Sequence, residues 1–325
     1  MHKLISMNLQ RRRLSLGCLL FVTATTSLAQ AYPSRVVHVV VPFGPGTGAD
    51  LSARILAEHL SRSMGQTFVV ENRVGAGGAI GTASVAAAAP DGYTLLMNAS
   101  SHSALPAYKK TLPFDARRDF VAIAQFGVSP MVLVVSKEKG WRSVKDLVAA
   151  AKARPGSLSF ASAGIGSTTH LSGEKFCLDA GFRAVHVPYK STTDAIADLI
   201  TGRVDFLITS VPPTLGPLKN GRLIALAMGS KRSSALPDVP TFAEAGVREA
   251  ETWFGLFAPA KTPIDIVQRL HVEVQRAAEE PSVQDRLAKM GAEPARMSME
   301  EFNAKVKREI ADNEQLVKAI GLKPE

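Results

Sequence analysis

Three small residues at one strand-to-helix junction have the spacing of a dinucleotide-binding loop. Gly44, Gly46 and Ala49 fit the pattern G-x-G-x-x-G/A, and Glu71 ends the next predicted strand about 20 residues later. In such a loop the glycines let the backbone approach a pyrophosphate, which N–H groups at the helix N-terminus bind. One hypothesis is therefore an oxidoreductase with a nicotinamide cofactor, although Pro45 stiffens the loop where it would have to wrap the pyrophosphate.

A second loop of the same type lies at residues 161–170, with the sequence ASAGIGSTTH. It also follows a predicted strand and begins a predicted helix. The two loops together could hold the two ends of a small dicarboxylate, because free N–H groups at helix N-termini favour anions. Neither loop contains arginine or lysine, so capture would rest on backbone amides, hydroxyl groups and water. The simpler alternative is that these glycines only permit tight turns.

The remaining reactive side chains form no recognisable catalytic or metal-binding motif. The chain has seven histidines, and none has the spacing H-E-x-x-H or H-x-H. No G-x-S-x-G nucleophile elbow is present. Cys177 lies in an apolar segment and is interpreted as a buried thiol. We therefore expect no catalytic residue, no metal and no cofactor.

The N-terminus has the features of a cleavable secretory signal peptide. Residues 1–13 end in three arginines and contain no acid, an apolar run follows, and Ala29-Gln30-Ala31 forms an A-x-A cleavage site. We expect export to the periplasm, by either the Sec or the Tat route, and cleavage after Ala31. Removing the four basic residues of this segment lowers the formal net charge from +9 to +5. The other basic residues are dispersed among acids, which argues against a nucleic-acid partner.

Short apolar strands alternate with amphipathic helices along the chain, which is typical of βαβ units. Two adjacent strands are predicted at residues 120–127 and 131–135, and three helices are predicted after residue 263. We predict an α/β fold with two lobes and a ligand cleft between them. The predicted boundaries are 1–31 for the signal peptide, 32–127 and 251–325 for lobe 1, and 128–250 for lobe 2.

Several long motifs make the chain resemble the Bug family, the substrate-binding receptors of tripartite tricarboxylate transporters. They include VPFGPGTGADLSARILAEHLS, GQTFVVENRVGAGGAIGTASVAAAAPDGYTLLM, ASAGIGSTTHLSGE and VPYKSTTDAIADLITGRVDFLI, and the match runs from Tyr32 to the C-terminus. The resemblance implies a type II periplasmic-binding-protein (Venus flytrap) fold. It also implies that carboxylate compounds are captured largely by main-chain amides and bridging waters.

The resemblance places the two glycine-rich loops at opposite ends of the ligand. Tyr189, Ser210 and the hydroxyl-rich residues 100–102 are added because they follow predicted strands. The expected ligand-binding residues are Phe43, Gly46, Thr47, Gly48, Ser100, Ser101, His102, Ser162, Gly164, Gly166, Ser167, Thr168, His170, Tyr189 and Ser210. The family commonly has Pro-Gly-Gly where this chain has Pro-Gly-Thr-Gly. The extra hydroxyl of Thr47 therefore predicts a ligand preference that differs from that of typical members.

These features predict a monomeric receptor that captures a small carboxylate-bearing metabolite for a tripartite tricarboxylate-type transporter. One alternative is a receptor that reports its ligand to a sensor kinase without transport, and another is an exported NAD-dependent oxidoreductase. Candidate ligands are citrate-like tricarboxylates, C4-dicarboxylates, acidic amino acids and aromatic carboxylates. The expected mechanism is closure of the two lobes on a ligand that touches both loops.

Overall fold

The computed structural model describes residues 32–229, 236–247, 251–319, 321 and 324. The expected signal peptide, residues 1–31, lies outside the described residues. Strands and helices alternate through most of the chain, and the predicted α/β class is confirmed. Within the described ranges, no helix combines the length and the apolar character needed to cross a membrane.

The first lobe is built around a valine-rich strand. Its N-terminal elements are β1 (Val37–Val41), α1 (Gly48–Met64), β2 (Phe68–Asn72), α2 (Ala79–Ala86), β3 (Thr94–Ala99) and α3 (Ser101–Tyr108). Strand β1 pairs in parallel with both β2 and β3. Val39 and Val41 pack with α1, whereas Val40 packs against α2 on the other face. Because both faces are covered, the strand is apolar throughout rather than alternating.

The second lobe repeats this arrangement with its own parallel strands. Its elements are α4 (Val144–Ala153), β5 (Ser159–Ser162), α5 (Thr168–Ala180), β6 (Val185–Pro188), α6 (Thr192–Ile200), β7 (Phe206–Ser210), α7 (Leu215–Lys219) and β8 (Leu223–Met228). Strand β5 pairs in parallel with β6 and β7. Phe160 and Phe206 lie in one core of this lobe, and Leu199 and Leu207 lie in the core on the opposite face.

One long strand, β4 (Phe120–Ser136), joins the two lobes. As far as Pro130 it pairs antiparallel with β9 (Glu251–Pro259), and from Met131 onward it pairs with β7 and β8. The prediction of two separate strands at 120–127 and 131–135 is therefore corrected to a single strand. Pro130 has no N–H to donate, and it lies where β4 changes partners, so the sheet tolerates it.

The C-terminal segment returns to the first lobe, and its three predicted helices are confirmed. They are α8 (Ile264–Glu279), α9 (Pro281–Lys289) and α10 (Met299–Ala319), with the short strand β10 (Glu293–Pro294) pairing with β4. Phe302 and Ile310 of α10 are buried beside Trp253 and Phe257 of β9. This packing agrees with the assignment of residues 251–325 to the first lobe, while the exact lobe boundaries stay a prediction.

Candidate ligand-binding site

The first glycine-rich loop joins β1 to α1 and is held by hydrogen bonds within itself. Thr47 caps α1, because its Oγ1 accepts from Asp50 N at 3.4 Å and donates to Gly44 O at 2.9 Å. Gly46 has a left-handed φ of 78°, and its N–H donates to Asp50 Oδ2 at 2.9 Å. The N–H of Gly46 is therefore already used inside the loop.

Asp50 is a buried carboxylate that organises this loop. Its Oδ1 lies 2.9 Å from an Arg54 guanidinium nitrogen and accepts from Asn72 Nδ2 at 2.9 Å. Burial opposes its charge, but the hydrogen bonds from Arg54, the Gly46 N–H and Asn72 outweigh burial and hold the Asp50 pKa below its usual value. Asp50 is consequently an ionised structural group, and it lies in the first turn of α1, where the helix dipole favours a negative charge.

The second loop joins β5 to α5 and repeats the same local design. Ser167 caps α5: its Oγ donates to Gly164 O at 2.6 Å and accepts from His170 N at 3.3 Å. The Gly164 N–H donates to Ser162 Oγ at 3.0 Å, and the Gly166 N–H donates to His170 Nδ1 at 3.3 Å. In both loops the capping hydroxyl donates to the carbonyl three residues before it. The N–H groups of Gly164 and Gly166 are therefore used internally too.

Two stacked imidazoles support the second loop from behind. The rings of His170 and His186 have centroids 3.9 Å apart. Ser162 Oγ, which accepts from the Gly164 N–H, also hydrogen-bonds to His186 Nε2 at 2.6 Å. Burial and the neighbouring His170 lower the pKa of His186 to about 3, so its ring stays neutral.

Four backbone N–H groups at the starts of α1 and α5 have no hydrogen-bond partner among the described residues. They belong to Gly48, Ala49, Thr168 and Thr169, the first two residues of each helix. All four residues line one cavity. Helix N-termini carry partial positive charge, and here two of them meet at one place. This arrangement favours an anion.

The cavity between the two helix starts has a volume of about 50 Å³ and no charged side chain in its lining. Phe43, Met131 and Phe254 contribute apolar surface. The hydroxyl-bearing lining residues are Thr47, Ser167, Thr168, Thr169, Thr192, Thr209, Ser210 and Thr252. An anion in this cavity would therefore be held by neutral N–H and O–H donors rather than by an ion pair.

The two lobes are in direct contact around this cavity. Ser100 Oγ, beyond the end of β3, lies 3.2 Å from Thr168 Oγ1 of α5 and 2.9 Å from Thr252 Oγ1 of β9. A methyl group added to Gly48 would lie 3.2 Å from Ser210 Oγ, which belongs to the second lobe. The structure therefore shows a closed arrangement of the lobes.

The structure divides the predicted site residues into four groups by position. Six line the cavity: Phe43, Thr47, Gly48, Ser167, Thr168 and Ser210. Five others lie behind the cavity and hold the loops by the hydrogen bonds described above: Gly46, Ser162, Gly164, Gly166 and His170. Ser100 lies at the edge of the cavity, bonded to two of its lining hydroxyls.

The remaining three predicted residues neither line the cavity nor form the loop hydrogen bonds described above. His102 is buried in the first lobe, stacked on Phe257 with centroids 4.4 Å apart, and burial lowers its pKa to about 4. Ser101 is buried beside it and donates to Asn98 Oδ1 at 2.9 Å. The physical reason is that residues 101–108 form a helix, α3, which turns these side chains into the core. Tyr189 is also outside the lining, and its hydroxyl donates to Asp198 Oδ2 at 2.9 Å.

Several lining residues were not found from the sequence. They are Ala49, Ala99, Met131, Ala163, Thr169, Thr192, Thr209, Thr252 and Phe254. Thr169 and Thr192 lie at helix starts and Thr209 lies near a strand end. These three residues could have been predicted by including every junction between a strand and the following helix, not only selected positions of the two glycine-rich loops. Thr252 and Phe254 lie on β9, whose position between β3 and β4 only the tertiary structure reveals.

No group of three or more histidine, cysteine, aspartate or glutamate side chains within the described ranges is placed to hold a metal ion. Cys177 is buried, and burial raises the pKa of its thiol well above the usual range.

Comparison with known proteins gives a consistent result. The tripartite tricarboxylate transporter family receptor model matches residues 52–322. The periplasmic binding protein BugD has a structure with TM-score 0.85 and 34% identity, covering 90% of this chain and 100% of that one. An R. palustris protein solved with adipate has TM-score 0.86 and 36% identity, with coverage of 90% and 100%. MatC from Rhodopseudomonas palustris, with bound malate, has TM-score 0.83 and 31% identity, with coverage of 88% and 100%.

The likeness to periplasmic binding proteins confirms the predicted fold, two α/β lobes with a cleft between them. The family match covers most of the chain, and the structural matches extend over about nine-tenths of it. The chain therefore belongs to the tripartite tricarboxylate transporter receptor family, the periplasmic solute-binding receptors of the Bug type.

Proposed function

We propose that this protein is an extracytoplasmic receptor that captures a small carboxylate-bearing metabolite in the cavity between α1 and α5. The observation that carries the proposal is the pair of helix N-termini that present free N–H groups of Gly48, Ala49, Thr168 and Thr169 to a lining with no charged side chain. The adipate and malate in two related structures support carboxylates as the ligand class.

Binding uses both lobes. One carboxylate meets the N-terminus of α1 in the first lobe, and another meets the N-terminus of α5 in the second. Because each lobe alone offers only half of the donors, the ligand binds the closed form more tightly than an open form. Hydroxyl groups such as Thr47 and Ser210 then select among carboxylates by the shape between their charged ends.

The six predicted residues that line the cavity are proposed as direct ligand contacts. The residues behind them, including Gly46 and Gly166, act by fixing the loops so that the free N–H groups converge. The oxidoreductase alternative finds little support, because the N–H of Gly46 that would meet a pyrophosphate is already bonded to Asp50.

The proposed role of the receptor is in transport of the captured ligand. After removal of the signal peptide, a monomeric closed receptor would deliver its carboxylate to membrane subunits of a tripartite tricarboxylate-type transporter. Signalling to a sensor kinase is the second candidate, and both roles use the same closed form as the recognised state.

The test is a thermal-shift screen of the purified protein against C4-dicarboxylates, tricarboxylates, acidic amino acids and aromatic carboxylates. A ligand of the folded state at about 100 times its Kd adds about 2.7 kcal/mol to the free energy of unfolding, so it raises the Tm measurably. Each hit is compared with its uncharged amide, which should give no shift. Stabilisation by none of the carboxylates, or equal stabilisation by the amides, would contradict the proposal.

A further inference from the structure

An apolar contact joins the two lobes outside the ligand cavity. Ala107 and Tyr108, at the C-terminal end of α3, are buried together with Val317 of α10, and all three belong to the first lobe. Ile165 of the second glycine-rich loop and Leu171 of α5 pack against them from the second lobe. None of these five residues lines the ligand cavity. The contact can therefore stabilise the closed arrangement of the lobes without touching the ligand.

The aromatic ring of Tyr108 is packed against the second lobe. Its centroid lies 4.6 Å from that of His170, the residue that supports the second loop from behind. A methyl group added to Gly166 of that loop would lie 3.5 Å from Tyr108 Cβ. Only 3% of Tyr108 is exposed. Because these neighbours belong to the other lobe, separation of the lobes would return the ring to water, and closure buries it.

The hydroxyl group of Tyr108 is buried with the ring, and it has no hydrogen-bond partner among the described residues. Burial, and to a smaller extent the negative charge of Glu174, raises the pKa of this hydroxyl above its usual value, so the group stays protonated. A donor that water solvates in an open form thus loses that water on closure without gaining an acceptor. Such a loss of solvation opposes closure.

We propose that Tyr108 sets the affinity of the receptor from outside the ligand cavity, because its ring stabilises the closed form and its hydroxyl group weakens it. The inference rests on the proposed function, since it requires that the ligand binds the closed form. As long as the open form predominates without ligand, a change in the closed population changes the affinity for every ligand by the same factor. The hydroxyl group therefore favours reopening of the lobes and release of the ligand.

Two substitutions separate the effect of the ring from that of its hydroxyl group. Tyr108→Phe keeps the ring and removes the unpaired donor, so the affinity should rise about fivefold or more. Tyr108→Ala removes the ring as well, so the affinity should fall about tenfold or more. Titration calorimetry with the carboxylates that bind the parent protein measures both changes. Stopped-flow kinetics should show that the ligand dissociates more slowly from Tyr108→Phe than from the parent protein.

Matched controls for both substitutions lie within the first lobe. Tyr32→Phe also removes a phenol hydroxyl, but the hydroxyl of Tyr32 is paired, since it donates to Gly92 O at 2.7 Å. Phe114→Ala also removes a buried ring, one that packs against Phe120 with centroids 5.9 Å apart. Both controls should lower the free energy of unfolding and leave the ligand affinity unchanged.

Two further measurements separate a role in closure from a general structural role. The affinity should change by the same factor for every carboxylate in a given Tyr108 variant, since Tyr108 does not line the cavity. The change should disappear in a Gly77→Ala background, where the added methyl group would overlap Ile165 O and hold the lobes apart. Titration followed by nuclear magnetic resonance keeps the weak binding of that background measurable.

The outcomes distinguish the role of Tyr108 from the proposed function. If the parent protein binds carboxylates but Tyr108→Phe binds them no more tightly, or Tyr108→Ala binds them no more weakly, the role of Tyr108 is refuted and the carboxylate receptor stands. Affinity changes that differ between carboxylates, or that persist in the Gly77→Ala background, refute it as well. If the parent protein binds none of the carboxylates, the proposed function fails, and the role of Tyr108 fails with it.

Discussion

The hydroxyl groups of Ser100 and Thr168 lie 3.2 Å apart, although the two residues belong to different lobes. Ser100 also lies 2.9 Å from the hydroxyl of Thr252, so three hydroxyl groups form a short chain across the mouth of the cavity. Thr168 is the first residue of α5, whose N–H groups face the ligand site. The contact between the lobes therefore lies at the helix start that we propose as one of the two carboxylate-binding points.

Ser100→Ala removes the hydroxyl that joins the lobes. We expect the ligand affinity to fall several-fold, because one neutral hydrogen bond contributes about 1 kcal/mol to the closed state. Ser84→Ala is the control, since Ser84 Oγ donates to Gly81 O at 2.7 Å within one helix. Titration calorimetry with a ligand from the carboxylate screen measures the affinity of both variants. Equal affinity in the two variants would contradict a closing role for Ser100.

Gly77→Ala should prevent closure without unfolding either lobe. Gly77 has φ of 68°, and a methyl group on it would overlap Ile165 O of the second loop. Gly65→Ala is a matched control, because Gly65 has φ of 71° with nothing within 4 Å of the added methyl group. Both substitutions should cost about 1 kcal/mol of folding stability, since each forces alanine into the left-handed region.

Only Gly77→Ala should lose ligand affinity, by about 100-fold or more, because a backbone carbonyl cannot move aside cheaply. Small-angle scattering should then show that the variant stays expanded when the ligand is added. A Gly77→Ala protein that binds and contracts like Gly65→Ala would show that the lobes do not meet at Ile165.

Thr47→Val separates the capping role of this hydroxyl from its place in the ligand site. Losing a helix N-cap costs about 1 kcal/mol of unfolding free energy. Ser143→Ala removes the equivalent cap of α4, where Ser143 Oγ accepts from Asp146 N at 3.1 Å, and Ser143 does not line the ligand cavity. Urea unfolding should therefore show similar losses of unfolding free energy in the two variants. The affinity for the ligand should fall only in Thr47→Val, and a parallel fall in Ser143→Ala would mean that the effect is global.

His186 predicts a specific dependence of stability on pH. An unfolded histidine has a pKa of about 6.5, whereas burial lowers the pKa of folded His186 to about 3. Between these values the unfolded chain binds a proton that the folded protein does not, so the free energy of unfolding falls as the pH falls.

His186→Gln should make stability less dependent on pH, because Gln carries no titrating group and its side-chain amide can still hydrogen-bond to Ser162. Urea unfolding at pH 7 and pH 5 should show that the variant loses about 2 kcal/mol less unfolding free energy than the parent protein over this interval. An unchanged loss would mean that His186 is protonated in the folded state.

The two glycine-rich loops were predictable because each is a short local pattern. A strand end, glycines, a capping hydroxyl and a helix start are consecutive in the sequence, and Thr47 and Ser167 cap their helices as such a pattern requires. The same locality made the C-terminal helices predictable from their apolar spacing.

Other parts of the site depend on information that no local pattern carries. Ser101 and His102 were expected in the cleft because they follow a strand, but helix α3 begins there and directs them into the core. Thr252 enters the site because β9 pairs with β3 on one side and β4 on the other, which brings together strands more than 100 residues apart. Register between distant strands is set by the whole fold rather than by the segment itself.

The most direct test of the central claim is the response of four backbone amides to a bound carboxylate. Nuclear magnetic resonance of the labelled protein should show downfield proton shifts for Gly48, Ala49, Thr168 and Thr169 on addition of a ligand from the screen, because N–H groups that were free become hydrogen-bond donors to an anion. Amides already bonded within the loops, such as that of Gly46, should move less. Saturable binding that leaves the proton chemical shifts of all four amides unchanged would contradict carboxylate capture between the two helix N-termini.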